Sequence, residues 1–249
     1  PAQMSNWNLL IINGSAHLAD LDSEIIEIAG FGRFPGEAVR GQKLGAVFDL
    51  LGEKCLIARY ALSDVQSNLK RGPQIVLPKD IAWMIYKSGL ATGGTVVEAG
   101  CGSAALTLAL AQAVAPNGKV ITFENNLRHF KIAEKNLEMS PWKDLVEIRS
   151  SELEDKTKEI ETDAIVLDLP NPNEIIEWSK RSLRIGGFML SYVPTVNQVE
   201  NLLVSLEGWK EIEIVEVIQR DWQSKSSALR PKTNMLGHTG FIISARWNG

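Results

Sequence analysis

The sequence predicts an α/β fold: a doubly wound, mostly parallel sheet ended by an antiparallel hairpin, behind a small β-rich N-terminal domain. Three observations carry that expectation. Strand and helix patterns alternate from Thr95 to about residue 206, which asks for parallel strands joined by crossover helices. An apolar run, Thr95–Val97, ends in Glu98 and the glycine pair Gly100 and Gly102, then passes into the helical pattern from Ala105. Residues 211–219 and 240–247 are two strand patterns with only an irregular loop between them, so they should pair antiparallel.

Residues 1–66 hold short β-like runs, 8–12, 46–50 and 54–60, separated by Gly, Pro and Asp turns and without a long helical period. Residues 67–94 form a connector and helix. The stretch 67–79 is polar and broken by prolines, and Asp80 is expected to cap a helix ending near Gly89. The large domain, 95–249, reads as strand 95–98, helix 105–114, strand 119–124 and helix 127–139. Strands 146–149 and 164–168, helix 173–183, strand 187–193 and helix 195–206 follow.

A chain of 249 residues that is 45% hydrophobic and 22% charged buries a sizeable core, as soluble globular proteins do. No apolar run approaches the ~20 residues of a membrane span, and no targeting leader is recognisable, so the cytoplasm is the expected compartment. Met4 reads as a natural start. Cys55 and Cys101 make neither a disulfide framework nor a metal site. A net charge of −4 does not advertise a nucleic-acid binder. Basic residues are nevertheless grouped, at Lys70, Arg71 and Lys79 and again at Arg220, Lys225, Arg230, Lys232 and Arg246.

The glycine turn lets a cofactor lie against bare backbone at a helix N-terminus. Lys119–Glu124 is a second strand ending in an acid, placed to bind both hydroxyls of a ribose. A dinucleotide would call for a third glycine, whereas here Ser103, Ala104, Ala105 and Leu106 follow Gly102. Glu98, two residues before the first glycine, suits the ammonium of S-adenosylmethionine better. Ligands of open α/β sheets bind beyond the carboxyl ends of the strands. Glu98, Glu124, Glu152 with Leu153, and Asp168 all fall at or near such ends. Asp168 precedes Pro170 and Pro172, which stiffen the loop and delay the next helix. It either faces a flat substrate or caps that helix.

Four stretches, 74–80, 98–107, 167–172 and 230–241, together resemble the tRNA (adenine-N1)-methyltransferases, class I enzymes of Rossmann-like fold that act on T-loop position 58, and in archaea also on 57. The resemblance runs in order through residues 70–247. It implies S-adenosylmethionine as cofactor, tRNA as partner, no metal, no membrane, and a homotetramer. Glu98, Gly100, Gly102 and Ser103–Leu106 would lie along the cofactor's methionine end. Glu124 would hold the ribose, Arg128 would stand beside the cofactor, and Glu152 with Leu153 near its adenine. Asp168 would be catalytic and also border the cofactor. Gln74, Leu77, Pro170, Arg230, Met235 and His238 would meet the substrate.

Departures from the family pattern are Cys101 for threonine, Ala104 for glycine, Leu77 for tyrosine and Asn173 for an aromatic. Ala104 is compatible with the turn if its φ stays negative. Two other functions remain open from sequence. One is a non-catalytic RNA-binding partner subunit, motivated by the altered pocket. The other is a methyltransferase for a small molecule or protein carboxylate, motivated by the acidic net charge.

Overall fold

The computed structural model describes residues 7–70, 72 and 75–249, so Met4, Arg71 and Gln74 lie outside the described residues. The N-terminal part contains β1 (Trp7–Ile12), β2 (Ser15–Asp20), β3 (Ile25–Ile28), β4 (Gly32–Pro35), β5 (Val47–Leu50) and β6 (Glu53–Ala58). An antiparallel sheet runs β2-β1-β6-β5, and β3 pairs with β4 as a separate hairpin. Period-two alternation puts Leu10, Ile12, Cys55 and Ile57 inside, packed with Phe34 and Val39. A helix the sequence did not announce, α1 (Leu62–Ser67), crosses the boundary expected at residue 66.

The next helix, α2 (Pro78–Ser88), starts on Pro78, whose missing N–H costs nothing at the first helical position, and ends on left-handed Gly89. Asp80 is therefore not its cap. Asp80 is buried within the first turn, where its carboxylate accepts from Lys79 Nζ (2.8 Å) and Thr239 Oγ1 (2.9 Å).

Then come β7 (Thr95–Ala99), α3 (Ala105–Val114), β8 (Lys119–Phe123), α4 (Leu127–Glu138), β9 (Val146–Arg149) and β10 (Thr162–Leu167). They are followed by α5 (Ile176–Ser182), β11 (Leu183–Val193), α6 (Val196–Ser205) and β12 (Lys210–Val215). β13 (Trp222–Gln223), β14 (Arg230–Pro231) and β15 (Phe241–Arg246) complete the domain. The large sheet has the order β12-β15-β11-β10-β7-β8-β9. Every pairing from β11 to β9 is parallel, and β15 is antiparallel to both its neighbours. β12 and β15 make the expected terminal pair, Val215 opposite Ile242. Between them β13 pairs with β14, a ribbon too short to show as a period.

Both faces of the sheet are covered. Val96, Val120, Val166 and Ile242 meet α2, α3 and α4 on one side; Val97, Ile121, Ile165 and Ile243 meet α5 and α6 on the other. Adjacent residues of one strand thus serve opposite layers, which is why these strands read as continuous apolar runs. Chain direction along the sheet order reverses at β7, with β8 on one flank and β10 on the other, opening a crevice over their carboxyl ends. Among the described residues no helix is long and apolar enough to cross a membrane.

Candidate cofactor and substrate site

A cleft of about 550 Å³ lies at that crevice. Gly100, Gly102, Glu124, Glu152, Leu153, Asp168 and Pro170, all singled out from the sequence, line it. Gly100 (φ +89) allows the closest approach: a Cβ there would fall 2.1 Å from the Asp168 carbonyl oxygen, so only glycine lets β10 end over the turn. Two backbone bonds fix that junction, Asp168 N to Ala99 O and Gly100 N to Phe123 O, each 2.9 Å. Gln198 of α6 donates to the Pro170 carbonyl at 3.0 Å and holds the proline loop from the far side.

Three carboxylates converge here. Glu98 is fully buried; its Oε2 accepts from Thr107 Oγ1 and Thr122 Oγ1, both at 2.6 Å, while Oε1 has no partner among the described residues. Glu124 keeps only 6% of its surface exposed. Burial, then repulsion from Glu98 and Glu124, pushes the Asp168 carboxyl from the ordinary 3.8 up to about 7. Burial also raises Glu98 to about 7, against the opposing pull of its two threonine bonds. The site is thus short of positive charge. S-adenosylmethionine, with its sulfonium and ammonium, would supply that charge, but Glu98, expected beside the ammonium, is wholly buried and does not line the cleft.

Other sequence candidates fall elsewhere. Ser103, Ala104, Ala105 and Leu106 are buried at the start of α3 rather than on the cleft wall. Ala104 adopts φ +67, the left-handed conformation, against the expectation of a negative φ. The geometry that glycine would take freely is here imposed on alanine by the helix entry. Arg128 does not border the cleft. Asn126 caps α4 by accepting from the amides of Arg128 and His129, which turns His129 toward the cleft and Arg128 onto the outer face. Leu77 is the N-cap of α2, and Arg230 and Met235 are exposed outside the cleft lining. Lys79 is 8% exposed, its ammonium spent on Asp80, the Val217 carbonyl and Thr239, so it is not available to a phosphate.

His238 bonds Glu216 through Nδ1 (2.6 Å) and the Pro194 carbonyl through Nε2 (3.0 Å). Both partners are acceptors, and the Glu216 bond, then the Pro194 bond, raises the imidazole's pKa and favours its charged form. Because Pro194 lines the cleft, His238 clamps the wall rather than entering the site. Sequence reasoning missed Tyr192, Asn125, Asn126, His129 and Gln198 in the lining. Tyr192 had a signal, an aromatic at the carboxyl end of a strand; His129 and Gln198 depend on helix phase, and Asn125 and Asn126 on where α4 is capped. No group of His, Cys, Asp or Glu among the described residues is arranged to hold a metal ion.

A family model described as the tRNA methyltransferase complex GCD14 subunit matches residues 65–238. The chain is 34% identical over 223 residues to the tRNA (adenine(57)-N(1)/adenine(58)-N(1))-methyltransferase TrmI of Methanocaldococcus jannaschii, covering 78% of this chain and 79% of the relative. Among solved structures, an S-adenosylmethionine-dependent O-methyltransferase of Thermotoga maritima superposes with a TM-score of 0.78 at 28% identity, over 99% of this chain and 94% of its own. The tRNA (m1A58) methyltransferase TrmI of Aquifex aeolicus gives 0.73 at 26% identity, over 96% of each chain. With its acidic cleft at the sheet's switch point and these matches, the chain belongs to the tRNA (adenine-N1)-methyltransferase family and is an S-adenosylmethionine-dependent methyltransferase.

Proposed function

We propose that this protein methylates N1 of adenine 58 in the T-loop of tRNA. The supporting observation is Asp168, a carboxylate at the end of β10 in a cleft that also holds Glu124, with Glu98 buried behind its wall. Bound S-adenosylmethionine supplies an electrophilic methyl group. Adenine N1 is already nucleophilic, so the residues have to orient the base rather than deprotonate it. Asp168 accepts a hydrogen bond from the exocyclic amino group and stabilises the positive charge that grows on the ring. The base must leave its stack in the T-loop, and Tyr192, 8% exposed in the cleft wall, offers it an aromatic face. Tyr192, on β11, thereby stands in for the aromatic missing at Leu77, the N-cap of α2.

Gly100, Gly102 and Glu124 would hold the cofactor's amino-acid and ribose ends, with Glu152 and Leu153 beside its adenine. Retention of these residues favours a catalytic chain over a non-catalytic partner subunit. The homotetramer that the family resemblance implies is part of this proposal, and sedimentation tests it. Incubating the protein with tRNA transcript and labelled S-adenosylmethionine, then digesting to nucleosides, tests the reaction. 1-Methyladenosine at position 58 supports the proposal, and its absence overturns it. The Methanocaldococcus relative is named for positions 57 and 58, so the same digest, mapped by fragment, decides whether 57 is a second acceptor.

A further inference from the structure

One strongly charged surface has no part in the site described so far. Arg128, Lys131 and Lys135 are spaced three and four residues apart, so they stack along the outer side of α4 over about 10 Å. With Lys70 from the connector, they line a hollow of about 490 Å³ whose apolar lining is Leu127 and Ile132. All four cations are exposed, and none pairs with a carboxylate among the described residues. Elsewhere Lys87, Lys119, Lys180 and Arg184 each sit on one. In a chain of net charge −4, four uncompensated cations in one hollow are a concentrated anion-attracting field.

The hollow is also firmly built. Fully buried Asn136 accepts from the Lys70 amide (2.8 Å) and donates to the Lys70 carbonyl (3.0 Å), pinning the connector against α4. The same amide nitrogen donates to the Ser103 carbonyl at 2.9 Å, so one side chain ties this surface to the glycine turn. At its N-terminal end α4 reaches the cleft itself, through Asn126 and His129. The cleft is acidic and repels phosphate. A nucleotide can therefore offer it only the base, and its backbone must be gripped at the rim.

We propose that the hollow formed by Lys70, Arg128, Lys131 and Lys135 holds the phosphate backbone of the RNA whose base enters the cleft. This rests on the RNA reading given above. Continuity with a cleft built for a nucleobase selects a polynucleotide over a lipid surface or an acidic protein. The test is the pair Lys131→Glu/Lys135→Glu, titrated against fluorescent tRNA transcript at several salt concentrations. Two lost phosphate contacts should weaken binding at least tenfold and lower the slope of log affinity against log salt by about 1.5. Lys131→Ala/Lys135→Ala should shift both in the same direction by less, and unchanged S-adenosylmethionine affinity shows that the fold is intact. If wild type binds and methylates tRNA while the charge-reversed pair keeps its affinity and slope, the hollow is not the grip and the proposed reaction stands. If wild type neither binds nor methylates tRNA, both readings fall. Binding to anionic vesicles in place of tRNA, lost in the pair, would assign the surface to lipid and overturn the proposal.

Discussion

The Gly102 amide donates to Glu124 Oε2 at 3.0 Å, so the acid ending β8 holds the glycine turn that follows β7. Its other oxygen accepts from the Asn126 amide at 2.9 Å. A carboxylate has about four acceptor positions, so two stay open to a pair of ribose hydroxyls. Glu124→Ala should lower S-adenosylmethionine affinity tenfold or more, since a hydrogen bond to a charged group is worth ~1.5–3 kcal/mol. Calorimetry reads this directly, and Glu124→Gln should recover part of the loss. Unchanged affinity in the alanine variant would remove Glu124 from the cofactor site.

Asp168→Ala should keep the fold and most tRNA affinity while slowing methyl transfer about a hundredfold, close to the ~3 kcal/mol lost with one preorganised transition-state partner. Asp168→Asn should restore only part, because an amide oxygen accepts the amino proton without bringing negative charge. Single-turnover rates on pre-bound tRNA separate chemistry from binding. A wild-type rate in the alanine variant would leave Asp168 a purely local role.

The elevated carboxyls of Asp168 and Glu98 make stability depend on pH in a defined direction. Between about pH 4 and 7 the folded protein keeps protons on these groups that the unfolded chain has released, so their effect is a loss of stability as pH rises through that window. Thermal unfolding without ligand should show a shallower fall across this window in Asp168→Asn than in wild type. Cationic S-adenosylmethionine prefers the ionised cluster, so the increase in Tm it gives should be larger at pH 8 than at pH 5.5. An increase that is the same at both would contradict the shared-charge description of the cleft.

Ala104→Gly should stabilise the protein. Relief of a left-handed alanine, ~1–2 kcal/mol, outweighs the ~0.4–1 kcal/mol of extra unfolded-state freedom. A net gain of about 1 kcal/mol corresponds to a Tm rise of roughly 2–4 °C in a protein of this size. Denaturant titration gives the same quantity independently, and a decrease would show that the alanine methyl packs well enough to cancel its strain.

Lys79→Met should destabilise by about 3 kcal/mol or more, because it strands the fully buried Asp80 carboxylate. The double variant Lys79→Met/Asp80→Leu should recover much of that loss. Were Lys79 instead a phosphate ligand, the single variant would lower tRNA affinity with little change in Tm.

The elements legible in the sequence were those where local chemistry and tertiary need agree. The helix expected at 105–114 is α3 to the residue, bracketed by the glycine turn and by Pro116. Strand 146–149 is likewise β9. β11 begins at Leu183 rather than 187 because Gly186 and Gly187, breakers in isolation, are held by bonds between Gly186 and Gly187 and Trp247 across the sheet. Within the cleft, the glycines were legible because the turn's backbone demands them, and Glu124 and Asp168 because they directly follow strands. Arg128 and His129 were not distinguishable, since which of two neighbouring residues faces a cleft depends on the one-residue placement of a cap. Asn136, a polar residue on an otherwise apolar helix face, was the overlooked signal for the connector's anchor.

Because β15 lies between β11 and β12, the sheet closes with an insertion rather than an addition at its edge. A ribosome that has released the chain only to residue 240 has delivered both flanking strands but not the strand that joins them. Until residues 241–246 emerge, β11 presents an open edge rich in Phe188, Met189 and Leu190, and β12 has no partner in the sheet. Methyltransferase competence therefore waits on residues 241–246, and deleting this one strand should cost the whole sheet rather than a single segment.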